Sequence, residues 1–159
     1  MPDEPQIQCS LVEPGDVERY ESSAVDRLKQ QGLRVTKPRK SVLRTLASTR
    51  RPLGAYQIRD RVHEAGERID VVSVYRILAS LVEAGLAHHI GSVDGYLACW
   101  SKHTGVHQTQ HLICDKCGCV EEMPIPSSAL SEIGVASSRF GFLTQLTRVE
   151  VTGVCSHCR

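Results

Sequence analysis

The segment 70–85, DVVSVYRILASLVEAG, decides the fold of the first half of the chain. Asp70 is a suitable N-cap, Gly85 is a suitable helix stop, and the apolar residues between them recur at helical spacing. This apolar stripe consists of Val74, Ile77, Leu78, Leu81 and Val82. The opposite face carries Ser73, Arg76, Ser80 and Glu83. The segment therefore predicts a helix over 71–84 with one face in a core and one polar face free to meet a partner.

Three more helices are predicted before this segment, each from a start signal followed by apolar residues at helical spacing. The first is capped by Ser22 or Ser23, the second is capped by Thr36, and the third follows Gly54. Residues 1–21 are acidic, contain proline and show weak periodicity. We therefore expect a poorly ordered tail over 1–21.

The residues after the segment predict a β-hairpin. Two β-prone runs, 86–90 and 96–99, flank Asp94-Gly95, a dipeptide typical of two-residue turns. A turn centred on this dipeptide pairs Ile90 with Cys99. Helices followed by a two-stranded hairpin form a winged helix, which we assign to residues 22–100. In that arrangement the last helix enters the major groove of DNA and the wing lies near the DNA backbone.

The net charge of +1 hides an uneven distribution. Residues 1–21 carry six acids and one base, residues 22–90 thirteen bases and six acids, and residues 91–159 five bases and six acids. The basic middle part suits a polyanion such as DNA, although an ordinary solvated surface would give the same balance. The sequence contains no apolar run of membrane-spanning length and no secretion signal over 1–10, so we expect a cytoplasmic protein without a membrane role.

The second half of the chain predicts a small α/β domain. Residues 101–110 are polar and are predicted to be a hinge, and residues 111–159 form the domain itself. Its predicted elements are a strand over 111–113, a strand over 120–123, a helix over 127–139 and a strand over 143–154. The fold class is therefore α+β, with a winged helix followed by a small α/β unit.

Two cysteine pairs supply the strongest chemical signal. Cys114-Asp-Lys-Cys117-Gly118 and Cys155-Ser-His-Cys158 are CxxC pairs separated by 37 residues. Four thiolates are a preferred ligand set for tetrahedral Zn²⁺, and Gly118 suits the tight turn of a zinc knuckle. In a reducing cytosol, metal binding is a better default than disulfides, with a redox CxxC or fortuitous cysteines as alternatives. We expect a structural zinc that ties the chain end to the first strand of the domain.

The chain resembles the ferric uptake regulator superfamily in order over roughly residues 22–158. The resemblance is carried by Thr36 and Arg39, the motif SVYRILASL at 73–81, the Asp94-Gly95 turn, and HLICDKCG at 111–118. It implies a dimeric, metal-responsive repressor with a winged helix and a C-terminal dimerisation domain over 111–159. The implied partners are a second copy of the chain and a palindromic double-stranded operator, with no small-molecule substrate.

Within this superfamily the chain looks like the zinc uptake branch. That branch has a regulatory zinc bound by His, Cys, His and Glu, and the matching positions are His88, Cys99, His107 and Glu122. With the four-cysteine site this implies two Zn²⁺ per protomer. The stretch QTQH at 108–111 lacks the dense His/Asp cluster of the iron and peroxide branches. His111 and Cys119 are departures from the zinc branch, and whether they or His103 form a further metal site stays open.

The predicted hairpin allows this ligand set. His88 is two residues from Ile90 and therefore lies diagonally across from Cys99, about 7–8 Å away and on the same face, while His89 points the other way. Cys99 could instead be a small apolar side chain at a strand end. If the ligand set holds, zinc fastens the wing, the hinge and the second domain together and sets the spacing of the two recognition helices on DNA.

The candidate DNA contacts lie on the polar face of the predicted helix and on the basic stretch before it. Arg76 suits base reading because its guanidinium matches guanine O6 and N7, and Ser73 shares its face. Tyr75 and Tyr56 resemble family positions that contact DNA, although tyrosines in such helices are often core residues. Four further residues are expected to meet phosphates, namely Arg34, Lys37, Arg39 and Arg59.

The most specific function that this reasoning predicts is a zinc-responsive repressor of zinc-uptake genes. An iron, manganese or peroxide sensor of the same superfamily is the alternative. A zinc hydrolase built on His88, Cys99, His107 and Glu122 is more remote, because four protein ligands leave no position for a reacting water. We therefore expect no enzyme.

Overall fold

Two groups of secondary-structure elements follow each other along the chain, as the α+β prediction requires. The computed structural model describes residues 12–101 and 107–159. The tail over 1–11 and the hinge residues 102–106 lie outside these described residues. In chain order the elements are α1 (Pro14–Gln30), α2 (Lys37–Ala47), α3 (Ala55–Glu64), α4 (Val71–Glu83), β1 (Ala87–Ile90), β2 (Gly95–Ala98), β3 (Thr109–Cys114), β4 (Val120–Pro124), α5 (Ser127–Ser138) and β5 (Arg148–Gly153).

The four N-terminal helices enclose one apolar core. Val74, Leu78 and Leu81 are the buried residues of α4, and they pack with apolar residues of α1, α2 and α3. Burial of each such side chain contributes about 1.5–3 kcal/mol. Two predicted caps are present: the Ser73 N–H donates to Asp70 Oδ1 over 2.9 Å, and the Arg39 N–H donates to Thr36 Oγ1 over 3.4 Å. The core and the caps therefore fix α4 with its polar face outward.

The first helix begins earlier than we predicted. It starts at Pro14 rather than at Ser22 or Ser23, so the prediction of a poorly ordered tail is wrong for residues 14–21. Proline is well suited to a first helical turn, where no backbone N–H is needed. Glu21 is buried and forms ion pairs with Arg44 and with Lys40, which lies 3.2 Å away. These contacts attach α1 to α2.

The same helix packs behind the base of the wing. The Tyr20 hydroxyl donates to the Leu86 carbonyl, and the Tyr20 ring lies 5.0 Å from the Trp100 ring between centroids. Arg27 donates from Nη2 to the Gly85 carbonyl over 2.9 Å. Helix α1 therefore supports the chain where it enters and leaves the hairpin.

The wing is a hairpin, but its register differs from our prediction. Ile90 pairs with Gly95 and His88 with Leu97, whereas a turn centred on Asp94-Gly95 would have paired Ile90 with Cys99. The strands are joined by a short 3-10 turn over Gly91–Val93, and Asp94 takes the left-handed conformation with φ 45°. The pairing differs by four residues. Because this shift is even, every side chain keeps its predicted face.

Contacts with the loop after α2 explain the observed register. Leu53 and Tyr96 exchange two backbone hydrogen bonds of 2.9 and 2.8 Å, which holds β2 against that loop. A Cβ on Gly95 would lie 2.6 Å from the Cβ of Pro52. Gly95 is therefore required for the close approach to Pro52 and not for the turn itself.

The C-terminal part is a three-stranded sheet with one helix. Its strand order is β4-β3-β5, with β3 antiparallel to β4 and parallel to β5. Strand β3 begins at Thr109, so the last two residues of the predicted hinge are strand, and β5 begins at Arg148 rather than at residue 143. In the described part of the chain, no helix combines the length and apolarity that a membrane span requires.

A small apolar cluster joins the two parts. It contains Ile90 and Leu97 from the wing and Ile113 and Val120 from the sheet. The Val120 N–H also donates to the Arg50 carbonyl over 3.0 Å, which connects β4 to the loop after α2. The wing is thus packed on the sheet, and residues from both parts can meet in one site.

Candidate metal centres and nucleic-acid interface

The four predicted regulatory residues converge on one point between the two parts of the chain. His88 lies on β1, Cys99 directly follows β2, His107 precedes β3, and Glu122 lies on β4. One ligand atom from each lies within 4.8 Å of the ligand atoms of the other three. The diagonal relation of His88 and Cys99 survives the change of register because His88 pairs with Leu97, two residues before Cys99.

The distances between these atoms lie within about 0.5 Å of the separations in a tetrahedral zinc site. Glu122 Oε1 lies 3.0 Å from His88 Nε2 and 2.8 Å from His107 Nε2. Cys99 Sγ lies 3.8 Å from His107 Nε2 and 3.8 Å from Glu122 Oε1. Tetrahedral zinc, with Zn–N about 2.0 Å and Zn–S about 2.3 Å, requires ligand separations of about 3.3 Å between N or O atoms and about 3.5 Å to sulfur.

The cluster also has the electrostatic character of a cation site. Glu122 Oε2 is buried and makes no hydrogen bond within the described part of the chain. Burial opposes ionisation of Glu122, but the adjacent imidazoles of His88 and His107 outweigh it and hold its pKa at about 2. Burial, followed by the Glu122 charge, raises the pKa of the Cys99 thiol to about 11. A divalent cation would bind these clustered ligand atoms and would stabilise the thiolate form of Cys99.

Two neighbours of this cluster were not assigned to it from the sequence. Ser101 Oγ lies 3.1 Å from Cys99 Sγ and 3.2 Å from His107 Nε2. His111 is buried, its ring centroid lies 4.7 Å from that of His88, and its Nε2 makes no hydrogen bond within the described residues. Burial lowers the pKa of His111 to about 4. A neutral imidazole therefore adjoins the cluster, whereas His89 points away and bonds to Asp94 over 2.9 Å.

The four predicted structural cysteines form the second cluster. The sulfur atoms of Cys114, Cys117, Cys155 and Cys158 all lie within 4.8 Å of one another. Cys117 Sγ and Cys155 Sγ are 3.8 Å apart, the separation that Zn–S bonds of about 2.3 Å require at tetrahedral angles. Gly118 has φ +72°, a conformation that favours glycine, and its N–H donates to the Cys114 carbonyl over 2.8 Å.

The thiols of this cluster interact strongly. Backbone N–H groups of Cys155 and Cys117 lower the pKa of Cys114 to about 6. Hydrogen bonding to Cys155, followed by burial, raises the pKa of Cys158 to about 12. Four thiolates side by side require a cation, and Zn²⁺ is the cation that this donor set suits.

Several of the candidate DNA-contacting residues are exposed on the helices of the N-terminal part. Arg76 is exposed on α4, and Tyr75 and Tyr56 are 47% and 57% exposed, so neither tyrosine is a core residue. Ser73 is half-buried, and its hydroxyl donates to Asp70 Oδ2 over 2.6 Å. The structure thus leaves Arg76, Tyr75 and Tyr56 available to a partner.

The four predicted phosphate contacts differ in availability. Arg34 and Lys37 are exposed. Arg59 binds its neighbour Asp60 and lies over the Tyr56 ring, 5.2 Å from its centroid. Arg39 donates to the Arg34 carbonyl and to Ser80 Oγ, so its guanidinium braces the start of α2 against α4.

Comparison with known proteins identifies the family. The family model described as the ferric uptake regulator family matches residues 30–144. This chain belongs to the ferric uptake regulator family. It is therefore a transcription regulator of that family and not an enzyme. The zinc uptake regulation protein of Escherichia coli (strain K12) is 29% identical over 129 residues, which cover 81% of this chain and 75% of that protein.

Solved structures extend the similarity to the arrangement of the two parts. A zinc uptake regulator complexed with zinc and DNA gives a TM-score of 0.82 at 27% identity, covering 89% of this chain and 94% of that chain. Holo XcZur gives a TM-score of 0.74 at 32% identity, covering 89% and 95%. Apo XcZur gives only 0.52 at 29% identity, covering 91% and 98%. The structure of this chain is thus more similar to holo XcZur than to apo XcZur.

Proposed function

We propose that this protein is a zinc-responsive, DNA-binding repressor of zinc-uptake genes. In this proposal Cys114, Cys117, Cys155 and Cys158 hold a structural zinc, and a second set of ligands holds the sensing zinc. That set comprises His88, Cys99, His107 and Glu122. Each protomer therefore binds two Zn²⁺, and the protein functions as a homodimer in the cytoplasm.

The observation that carries the proposal is the convergence of the second ligand set. The wing supplies His88 and Cys99, the predicted hinge supplies His107, and the sheet supplies Glu122, with all four ligand atoms within 4.8 Å of one another. A cation bound there links the DNA-binding part to the sheet directly. Zinc occupancy would then fix the orientation of α4 relative to the sheet.

Exposed apolar residues support a dimer. No residue of α5 is buried within the described chain, and Phe140 is 90% exposed. Further exposed apolar residues of this region are Val135, Phe142, Leu143, Val151 and Val154. An apolar surface of this kind is typical of an interface. A second copy of the chain would cover it and would place two α4 helices on successive major grooves of a palindromic site.

The proposed mechanism is a coupling between zinc and DNA. Zinc at the second site increases the fraction of molecules whose two α4 helices have the spacing of the operator. Couplings of this type amount to about 1–3 kcal/mol, or about 5–150-fold in affinity, and they are reciprocal. Operator DNA therefore has to increase zinc affinity by the same factor by which zinc increases DNA affinity.

Zinc content and DNA affinity, measured on the same preparations, test this proposal. The DNA is the tightest-binding duplex that the zinc-loaded wild type selects from a random pool. We expect Cys99→Ser to lower zinc from two ions to one per protomer and to remove the zinc dependence of DNA binding, while the dimer persists. Histidines of β1 provide a matched pair: His88→Gln is expected to behave like Cys99→Ser, and His89→Gln like the wild type. Equal behaviour of the two histidine variants would contradict the proposal.

A sensor of iron, manganese or peroxide in the same family is the second candidate. The buried neutral His111 beside His88 favours it, because an additional imidazole could serve a metal that takes more than four ligands. The thiol of Cys99 favours zinc, since zinc binds a site with thiolate and imidazole more tightly than iron(II) does. Competition of Zn²⁺ with Fe²⁺ and Mn²⁺ under anaerobic conditions separates the two candidates.

A further inference from the structure

The tip of the wing is held by a carboxylate of the C-terminal sheet. The Gly91 N–H donates to Glu150 Oε1 over 2.7 Å, and the Ser92 N–H donates to Glu150 Oε2 over 2.9 Å. Gly91 and Ser92 belong to the 3-10 turn that joins β1 to β2, and Glu150 lies on β5. One side chain of the second part thus binds two successive backbone groups of the first.

The fold explains why the carboxylate reaches the turn. Strand β5 runs parallel to β3 with Glu150 opposite His111, so the two side chains lie on the same face of the sheet. Because His111 adjoins His88 of the wing, this is the face that meets the wing. Glu150 is exposed, and the slight burial of its carboxylate opposes ionisation, but hydrogen bonds from Ser92 and Gly91 outweigh this effect and lower its pKa. Hydrogen bonds from backbone N–H groups to an ionised carboxylate are among the stronger ones in proteins.

The contact lies at the other end of the wing from the proposed sensing zinc. His88 and Cys99 are at the base of the hairpin, whereas Gly91 is three residues beyond His88, or about 10 Å along an extended strand. Apart from the proposed zinc, the wing packs on the sheet through the apolar cluster of Ile90, Leu97, Ile113 and Val120, and because apolar contacts are not directional they leave the hairpin some freedom to rotate. A second attachment at the tip removes this freedom.

We propose that Glu150 is a positioning residue for DNA binding, and that it latches the wing to the sheet independently of the metal. This inference rests on the proposed function. None of the three residues in the latch belongs to the proposed ligand sets. The latch restricts the orientation of the winged helix before zinc binds, and zinc completes the restriction at the base. Loss of the latch therefore lowers both operator affinity and zinc affinity, because both require the same domain arrangement.

The expected effect of Glu150→Gln is a loss of about fivefold in the operator affinity of the zinc-loaded dimer. A charge-assisted hydrogen bond at an exposed site contributes about 1 kcal/mol, and each 1.4 kcal/mol corresponds to a tenfold change. Zinc affinity at the second site should fall by a similar factor. Glu18→Gln is the control, because Glu18 is exposed on α1 and its replacement changes the net charge equally.

Amide hydrogen exchange, followed by NMR on the full-length dimer, observes the latch directly. In Glu150→Gln, the Gly91 and Ser92 amides should exchange faster, while the amides of α4 exchange as in the wild type. A loss of overall stability would accelerate the α4 amides as well, so this pattern separates positioning from folding.

A double-mutant cycle tests whether the carboxylate acts through the turn. Gly91→Pro removes one donor, and Ile90 has φ −96° and ψ 104°, an extended conformation that proline tolerates in its predecessor. Gly91→Pro and Glu150→Gln should each bind the selected duplex less tightly than the wild type does. Because both changes break the same contact, the double variant should bind the duplex about as tightly as the single variant with the lower affinity.

Two results would overturn the latch. The first is unchanged exchange at both amides in Glu150→Gln, and the second is fully additive losses in the double variant. Failure of the proposed function looks different: zinc would then not raise the DNA affinity of the wild type, whereas the amide exchange would still report on the contact.

Discussion

Replacement of Glu122 by glutamine removes the charge at the centre of the proposed sensing site. Glu122 Oε1 lies 3.0 Å from His88 Nε2 and 2.8 Å from His107 Nε2, whereas Cys99 Sγ lies 3.8 Å from His107 Nε2. In the described structure the carboxylate is thus closer to the imidazoles than the thiol is. The glutamine side chain has the same shape and keeps one neutral oxygen. The substitution therefore alters the ligand charge with little change in packing.

The expected loss follows from the role of the carboxylate. Changes to residues that merely support metal ligands cost about 10–100-fold in metal affinity, so loss of a charged ligand should cost at least about 100-fold, or about 2.7 kcal/mol. At a zinc concentration that just saturates the wild type, the second site of Glu122→Gln should be almost empty. The stimulation of DNA binding by zinc, about 5–150-fold in the wild type, should then disappear.

The matched control is the adjacent residue of β4. Glu121 alternates to the other side of the strand, where burial raises its pKa and the charge of Arg50 opposes this shift. Glu121→Gln removes the same side-chain chemistry one position away and should retain two zinc ions. The assay is chelator-competition titration of zinc combined with fluorescence anisotropy on the selected duplex. Equal zinc affinity in Glu122→Gln and Glu121→Gln would refute the assignment of Glu122.

Three further predictions concern the other parts of the molecule. Cys155→Ser should give a monomeric or insoluble protein, because structural zinc provides on the order of 10–16 kcal/mol in small sites; a normal dimer by light scattering would contradict this. Arg76→Ala should lose discrimination between the selected duplex and random DNA. Lys37→Ala should weaken binding to both duplexes and lower the salt dependence of binding. Equal losses of affinity on both duplexes for Arg76→Ala would show that Arg76 does not read bases. Burial opposes ionisation of Glu21, but its two cationic partners, Arg44 and Lys40, outweigh burial and lower its pKa. The ion pairs therefore stabilise the fold above the unfolded pKa of about 4.3, and this stabilisation is lost as the pH falls through the lower folded pKa. Glu21→Gln should therefore lower the free energy of unfolding by up to about 1 kcal/mol at pH near 7 and by less in acid, as denaturant titrations at both pH values can measure; a difference that does not change with pH would contradict the ion-pair assignment.

The sequence was sufficient to predict features that depend on short motifs or on the alternation of side chains along a strand. The caps at Thr36 and Asp70 and the two cysteine knuckles follow from short motifs, and they are present in the structure. The wing shows why the proximity of His88 and Cys99 was predictable even though the register of the hairpin was not. Side chains alternate along a strand, so a four-residue shift in pairing leaves His88 and Cys99 on the same face.

The features that the sequence did not reveal depend on contacts between distant segments. Helix α1 extends back to Pro14 because Glu21 and Tyr20 find partners on α2 and at the base of the wing, which no local periodicity encodes. The wing register depends on the approach of Gly95 to Pro52. Glu150 carried no signal in the sequence, because its partners are backbone N–H groups and not side chains.

Anomalous diffraction at the zinc edge, from crystals of the zinc-loaded protein bound to the selected duplex, shows directly whether a zinc ion joins the two parts. We predict two peaks per protomer. One should lie about 2.3 Å from the four knuckle sulfurs, and the other about 2.0 Å from nitrogens of His88 and His107 and about 2.3 Å from Cys99 Sγ. A crystal with DNA bound but only the knuckle peak present, and with His88 and Cys99 too far apart to share an ion, would contradict the proposed switch.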